Sequence, residues 1–265
     1  MRWVTVTRTE ESVVMGALAI SAIVFACVFG GALLGFRLRA FLPEDHLSPA
    51  SRDLVKLGMG TIATMTALVL GLLVASAKNS YDTESRDLTE FSAKVVLLDR
   101  ILAHYGPEGQ EARDLLKVVI SRSIERIWPK EGSSPPSLEP TGSRADLLYD
   151  RLEQLAPKDD VQRGLQSRAL SIATDIAQTR LVMIEQGYSP VSTPLIVVVV
   201  FSLTITFISF GLHAPPNATV LVTFFLGALS VSAVMFLILG MYTPFGGLIP
   251  VSSAPLRWAL AHLGN

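Results

Sequence analysis

Six residues of the second apolar stretch, Thr61, Thr64, Leu68, Gly71, Ala75 and Lys78, recur at steps of three or four. On an α-helix that spacing places them along one face. The stripe starts with two hydroxyls, passes through apolar and small side chains, and ends in a cation. Two kinds of chemistry fit it. Small residues let helices approach closely, so the stripe can be a helix–helix contact surface, the commoner use. Set around an axis in several copies, it would instead line a pore. Leu68 would then form an apolar constriction that gates by dewetting, and Lys78 a basic ring at the mouth that attracts anions.

Other chemistry finds little support. The four histidines, His46, His104, His213 and His262, are scattered and form no H-E-x-x-H pair. The single cysteine, Cys27, can make no internal disulfide and has no metal-binding neighbours in sequence, so no metal site and no cofactor are expected. Phosphate-cradling and nucleophile-elbow motifs are missing from the sequence. No set of acids, bases and nucleophiles converges, so no catalytic residue is assigned and an enzyme is not expected. A net charge of −1 indicates neither nucleic acid nor an acidic partner. Asn217-Ala218-Thr219 matches a glycosylation sequon, but in a tight turn it reads as chance.

The elements that must position the stripe follow from charge. Of the 45 charged residues 33 fall within 78–185, and none lies between Gln186 and Leu256, so the remainder of the chain suits a bilayer. Four stretches are long enough to span it: Ser12–Phe36, Leu57–Ala77, Val191–Leu212 and Thr219–Met241. The last two form a hairpin over 191–241, reversed by Pro215 and Pro216. "LIVVVVF" (195–201) is β-branched, yet inside a span a helix is the practical option. The fold class is therefore all-α, with four transmembrane helices and a helical cytosolic bundle inserted between spans 2 and 3. Four spans put both termini and the 78–190 region on one side. Arg2, Arg8, Lys78, Arg86, Lys94, Arg180 and Arg257 lie near span ends there, against Arg37, Arg39, Arg52 and Lys56 opposite. The excess places the termini and the large region in the cytoplasm.

Within 78–190 Leu88, Phe91, Val95, Leu98, Leu102 and Tyr105 form an apolar seam, which Gly106-Pro107 stops. A helix over 107–128 turns Ala112, Leu115, Leu116, Val119, Ile124 and Ile127 inward. A linker (129–143), a short helix (144–155) and a longer one (159–186) follow. At the turn "KNSYD" (78–82), Lys78 and Tyr81 suit headgroup depth, while Asp82 and Glu84 favour water. In the spans, Gly31-x-x-x-Gly35, Ala22-x-x-x-Ala26-x-x-x-Gly30 and "GMG" (58–60) suggest close helix contacts, and Cys27 packs in the membrane. In the tail (242–265), Pro255–Leu263 reads as a short interfacial helix with Arg257 and Trp258 at the headgroups, or as a helix packed on the bundle.

The segment "LGLLVASAKNSYDTESRDLTEFSAKVVLLDRILAHYGPE" (70–108) resembles the bestrophin-like family of bacterial membrane proteins. So do the tail "TPFGGLIPVSSAPLRWALAHLG" (243–264) and the segments "LLYDR" (147–151) and "AQTR" (177–180). The resemblance runs from about Arg52 to the end and implies a multi-pass protein of the bacterial inner membrane. More distantly the chain is similar to bestrophins, pentameric anion channels with four spans per subunit whose second span lines the pore. That likeness implies a homo-oligomer in a lipid bilayer, with Thr61, Thr64, Leu68, Gly71 and Ala75 facing the pore and an anion passing through. The chain departs from bestrophins in lacking their tryptophan-rich motif after the second span and their calcium-binding acidic cluster. Where the bestrophin-like family commonly has an acid before "PF", this chain has "GMYTPF" (240–245). A non-conducting membrane scaffold or sensor, whose cytosolic bundle binds a partner, is the competing expectation.

Overall fold

The computed structural model describes residues 10–41, 49–129, 142–187, 193–215, 217–243, 245 and 249–264. Residues 130–141 of the expected linker (129–143), Pro216, Pro244, Arg2, Arg8 and the start of the third span at 191–192 lie outside the described residues, as does the side chain of Arg52, while Gly142 and Ser143 belong to a helix. Eight α-helices occur among the described residues: α1 (Glu10–Arg39), α2 (Pro49–Tyr105), α3 (Gln110–Ile127), α4 (Gly142–Glu153), α5 (Asp160–Gly187), α6 (Thr193–His213), α7 (Ala218–Met241) and α8 (Ala254–His262). No strand occurs among them. Four helices, α1, α2, α6 and α7, are long and apolar enough to cross a membrane. In hydrocarbon a lone segment can satisfy its backbone only as a helix, which overrides the β-branched preference of 195–201.

The chain divides into two compact units, and the division within α2 falls between Ser80 and Tyr81. The first unit holds α1, the first part of α2, α6 and α7. Here α1 and α6 run in the same direction and touch through glycine. A Cβ built on Gly35 would lie 2.2 Å from the Ile208 carbonyl oxygen, and one on Gly211 2.2 Å from that of Ala32. At the same end Arg39 Nη1 donates to the Ala214 carbonyl at 2.6 Å, satisfying one of the carbonyls left open where α6 ends. Against α7, Phe25 and Phe29 both meet Phe225 edge-on, at 5.4 and 5.7 Å, and Val24 and Val28 are buried with Ala228 and Met235. Asn217 caps α7: its side chain accepts from the Val220 N–H at 2.9 Å.

Two expected glycine contacts differ. Gly30, Gly58 and Gly60 have nothing within 4 Å of a built Cβ, and Ala22 and Ala26 are exposed. The chain packs α1 through the line Val24, Val28, Ala32 and Gly35, which combines larger apolar side chains with one close backbone approach. Ala22, Ala26 and Gly30 lie on the opposite line and face outward, and Cys27 on the flank is exposed as well.

The second unit holds α2 from Tyr81, then α3, α4, α5 and α8 around one apolar core. The α2 seam from Leu88 to Tyr105 is buried, as are Ala112, Leu116, Val119 and Ile124 of α3 and Ile172 and Met183 of α5. Gly106, at φ +115°, reverses the chain where a side chain would be strained. Pro107 then sits in a 3-10 turn (Pro107–Gly109), so α3 begins later than the sequence suggests. Leu256 and Leu263 of the tail are buried in the same core, and the Trp128 indole N–H donates to the Val251 carbonyl at 2.9 Å. One face of α8 thus takes the packed alternative, while Arg257 and Trp258 stay exposed on the other. Glu84 is a correction: expected in water, it is 3% exposed. The seam extends back from Leu88 by alternating steps of four and three, through Glu84 to Tyr81, and that register carries the carboxyl inward.

Candidate functional site

All six residues of the α2 stripe are exposed in the chain: Thr61, Thr64, Leu68, Gly71, Ala75 and Lys78. Leu68 is 71% exposed. The other side of the helix carries the buried Thr66, Leu73 and Ala77, the last two packed on Val199 of α6 and Ile238 of α7. Tyr242 anchors the same place, its hydroxyl 3.3 Å from Ser76 Oγ. The apolar part of α2 is the least covered of the four candidate spans, 11% buried against 22% to 28%. A single chain therefore grips α2 along one narrow side and leaves the whole stripe open.

The hydroxyls of the stripe are engaged locally. Thr61 Oγ1 donates to the Leu57 carbonyl at 3.1 Å and Thr64 Oγ1 to that of Gly60 at 2.9 Å. Outward they show a methyl group and oxygen lone pairs, which attract no anion. Any preference for anions along this face rests on Lys78, its one cation. Gly71 carries no side chain, so Leu68 is the bulkiest step between the threonines and the lysine.

The packing of α2 on its neighbours is not even along its length. Tight at Leu73 and Ala77, it opens toward Lys56 and Met59 into a cavity of about 440 Å³, lined also by Phe210, His213, Val220 and Phe224. Its wall is largely apolar.

Beyond the span, two polar features escaped the sequence reading. Glu84 Oε2 has no hydrogen-bond partner. Burial, reinforced by the neighbouring Asp87 carboxylate, pushes the Glu84 carboxyl up to about 7. The signal was present: Glu84 is the one acid on the extended seam. Asp99, 1% exposed, accepts a bidentate pair from Arg113 at 2.9 and 3.0 Å, which holds the guanidinium charged above its ordinary range. No simple spacing predicts that pair, because the Gly106 turn sets it. Among the described residues, no group of three or more His, Cys, Asp or Glu lies where it could hold a metal ion.

The family model of the bestrophin-like domain matches residues 14–256, which takes in all four candidate spans and most of the second unit. No curated protein and no solved structure matches the chain. With four helices fit to cross a membrane and a match over nearly its full length, the chain is a membrane protein that belongs to the bestrophin-like family.

Proposed function

We propose that this chain is the subunit of a homo-oligomeric, anion-preferring ion channel in the bacterial inner membrane. Residues 12–77 carry transmembrane helices 1 and 2 and 191–241 the transmembrane hairpin, while 78–190 and the 242–265 tail, like both termini, lie in the cytoplasm. Copies gather around an axis, five by the likeness to bestrophins, with Thr61, Thr64, Leu68, Gly71 and Ala75 lining the pore and Lys78 at its mouth. The observation that carries this proposal is the open stripe: the most polar line of an apolar span lies within the broad surface its own chain leaves uncovered, beside Met65 and Leu72. Polar groups facing lipid are costly, and a water-filled axis gives them a better place. Planar-bilayer recordings of the purified protein test it. Under a chloride gradient the reversal potential should lie toward that of chloride, and Lys78→Glu should move it toward the cation value. Bilayers that stay silent with folded oligomer inserted overturn it.

A second reading, a non-conducting scaffold or sensor, draws on Leu147, Tyr149, Leu181 and Val182, apolar side chains 39% to 61% exposed in the second unit. Proximity crosslinking from those positions should then trap one partner protein, and recordings should show no current.

A further inference from the structure

The two faces of α8 differ. Leu256, Ala259 and Leu263 are buried. On the outward side Arg257 and Ala261 are exposed, and Trp258, 58% exposed, stacks its ring on His262 at 4.2 Å. The helix carries no acid. Arg257 Nε donates to Ser253 Oγ at 2.9 Å, which holds the side chain along the same surface. Tryptophan and arginine are the residue types that most often anchor protein–protein contacts.

The height of this face narrows its occupant. Asp99 lies about 27 Å along α2 from Tyr81, and the Gly264 N–H donates to it at 3.4 Å. From Arg113, which pairs with Asp99, α3 runs back for about 22 Å to Trp128, whose indole holds the Val251 carbonyl. The tail from Val251 to Gly264 thus runs alongside α2 from about 5 to about 27 Å beyond Tyr81, with Trp258 about 17 Å beyond it. The interfacial zone of a bilayer is only about 5–8 Å deep. With Tyr81 at headgroup depth, lipid headgroups do not reach Trp258.

At the same height the unit carries a complementary surface. An open cleft between α2 and α5, about 290 Å³ in volume, is lined by Asp87, Glu90, Lys94, Asp175, Gln178 and Val182 among others. Carboxylates outnumber cations there, and Lys94 is paired with Glu90 at 2.9 Å. Val182, 40% exposed, adds an apolar edge. Asp87 to Lys94 lie about 9–20 Å beyond Tyr81. The chain's own α8, packed on α3, does not line the cleft. With α2 lining a pore, the axis of the oligomer runs along it. Rotation shifts nothing along its axis, so two different patches that meet in a ring must share one height.

We propose that α8 of one copy docks in the α2–α5 cleft of the next, with Trp258 against Val182 and Arg257 toward Asp175, closing a head-to-tail ring. This docking rests on the homo-oligomer proposed above and names the surfaces that join its subunits.

The test uses the full chain in detergent, with Cys27→Ser as background and the mass of the particle followed by light scattering. Ala261→Cys on α8 and Gln178→Cys on the cleft, both at exposed positions, are combined and oxidised with copper phenanthroline. A non-reducing gel should show a ladder of linked chains up to the full ring, while either cysteine alone leaves monomers. Trp258→Ala or Arg257→Glu should abolish the ladder, and adding Asp175→Arg to Arg257→Glu should restore it. An oligomer that gives no ladder overturns the docking and leaves the channel reading standing; a protein monomeric throughout overturns both. Dimers from one cysteine alone would reveal a twofold contact and overturn the ring. A ladder untouched by Trp258→Ala and Arg257→Glu overturns the recognition assigned to them.

Discussion

Replacing Gly211 by alanine should weaken the contact between α1 and α6, and replacing Gly71 should not. At Gly211 the new Cβ would lie 2.2 Å from the Ala32 carbonyl oxygen, against 3.4 Å for the near limit of ordinary contact. Backbone lines the site, so no side chain can swing away, and the helices must part by about 1 Å. A gap of that size forfeits roughly a quarter to a half of each neighbouring dispersion contact, and overpacking of this kind costs about 1–3 kcal/mol. Gly71, with nothing within 4 Å, meets no such obstacle. Both substitutions raise helix propensity by about 1 kcal/mol, so the difference between the two variants isolates packing. Taking about 2 kcal/mol, and about 2–4 °C per kcal/mol for a chain of this size, Gly211→Ala should melt about 4–8 °C below Gly71→Ala. Near-UV circular dichroism of both proteins in one detergent measures it. Melting temperatures within about 1 °C of each other would refute the packing assigned to α1 and α6.

Three further outcomes are expected. Glu84, at about 7 against an ordinary 4.5, is protonated in folded and unfolded chains below about pH 4.5, so it carries no penalty there. As pH rises through 7 the folded state must charge a buried carboxyl and loses up to about 3 kcal/mol; Glu84→Gln should flatten denaturation midpoints between pH 5 and 9, and an unchanged slope would count against the burial. Arg113→Ala leaves the buried Asp99 without its counter-ion, with only the Gly264 N–H at 3.4 Å still donating to it, and should destabilise the second unit by about 3–5 kcal/mol; Asp99→Leu with Arg113→Met should recover most of the loss in limited proteolysis. Leu68→Ser should raise single-channel open probability without lowering the melting temperature, because Leu68 is 71% exposed in its own chain; unaltered gating would remove Leu68 as a constriction.

The four apolar helices were legible because lipid excludes charge, and charge can be counted along a chain. Heptad spacing likewise announced the seam from Leu88 to Tyr105. What spacing alone left open was which side of an apolar helix finds a neighbour. Gly31-x-x-x-Gly35 and Ala22-x-x-x-Ala26-x-x-x-Gly30 look alike in sequence, yet only the first meets α6, since the choice depends on side chains across the contact such as Thr204 and Ile208. Glu84 was assigned to water by residue type, while its register placed it inside; packing of the surrounding seam outweighed the preference of one carboxyl. The stripe was readable as a stripe. That its threonine protons are already spent on the Leu57 and Gly60 carbonyls depends on rotamers, which one-dimensional spacing does not carry.

The wedge-shaped opening between α2 and the α6–α7 pair has a mechanical consequence. Its closed end, at Leu73, Ala77 and Tyr242, acts as a pivot, and its open end, at Lys56 and Met59, borders a gap of about 440 Å³. Bilayer thinning or lateral tension must be met by tilt somewhere in the span. The close glycine contact leaves no such room between α1 and α6, so within this unit the space for tilt lies at the Lys56 and Met59 end of α2.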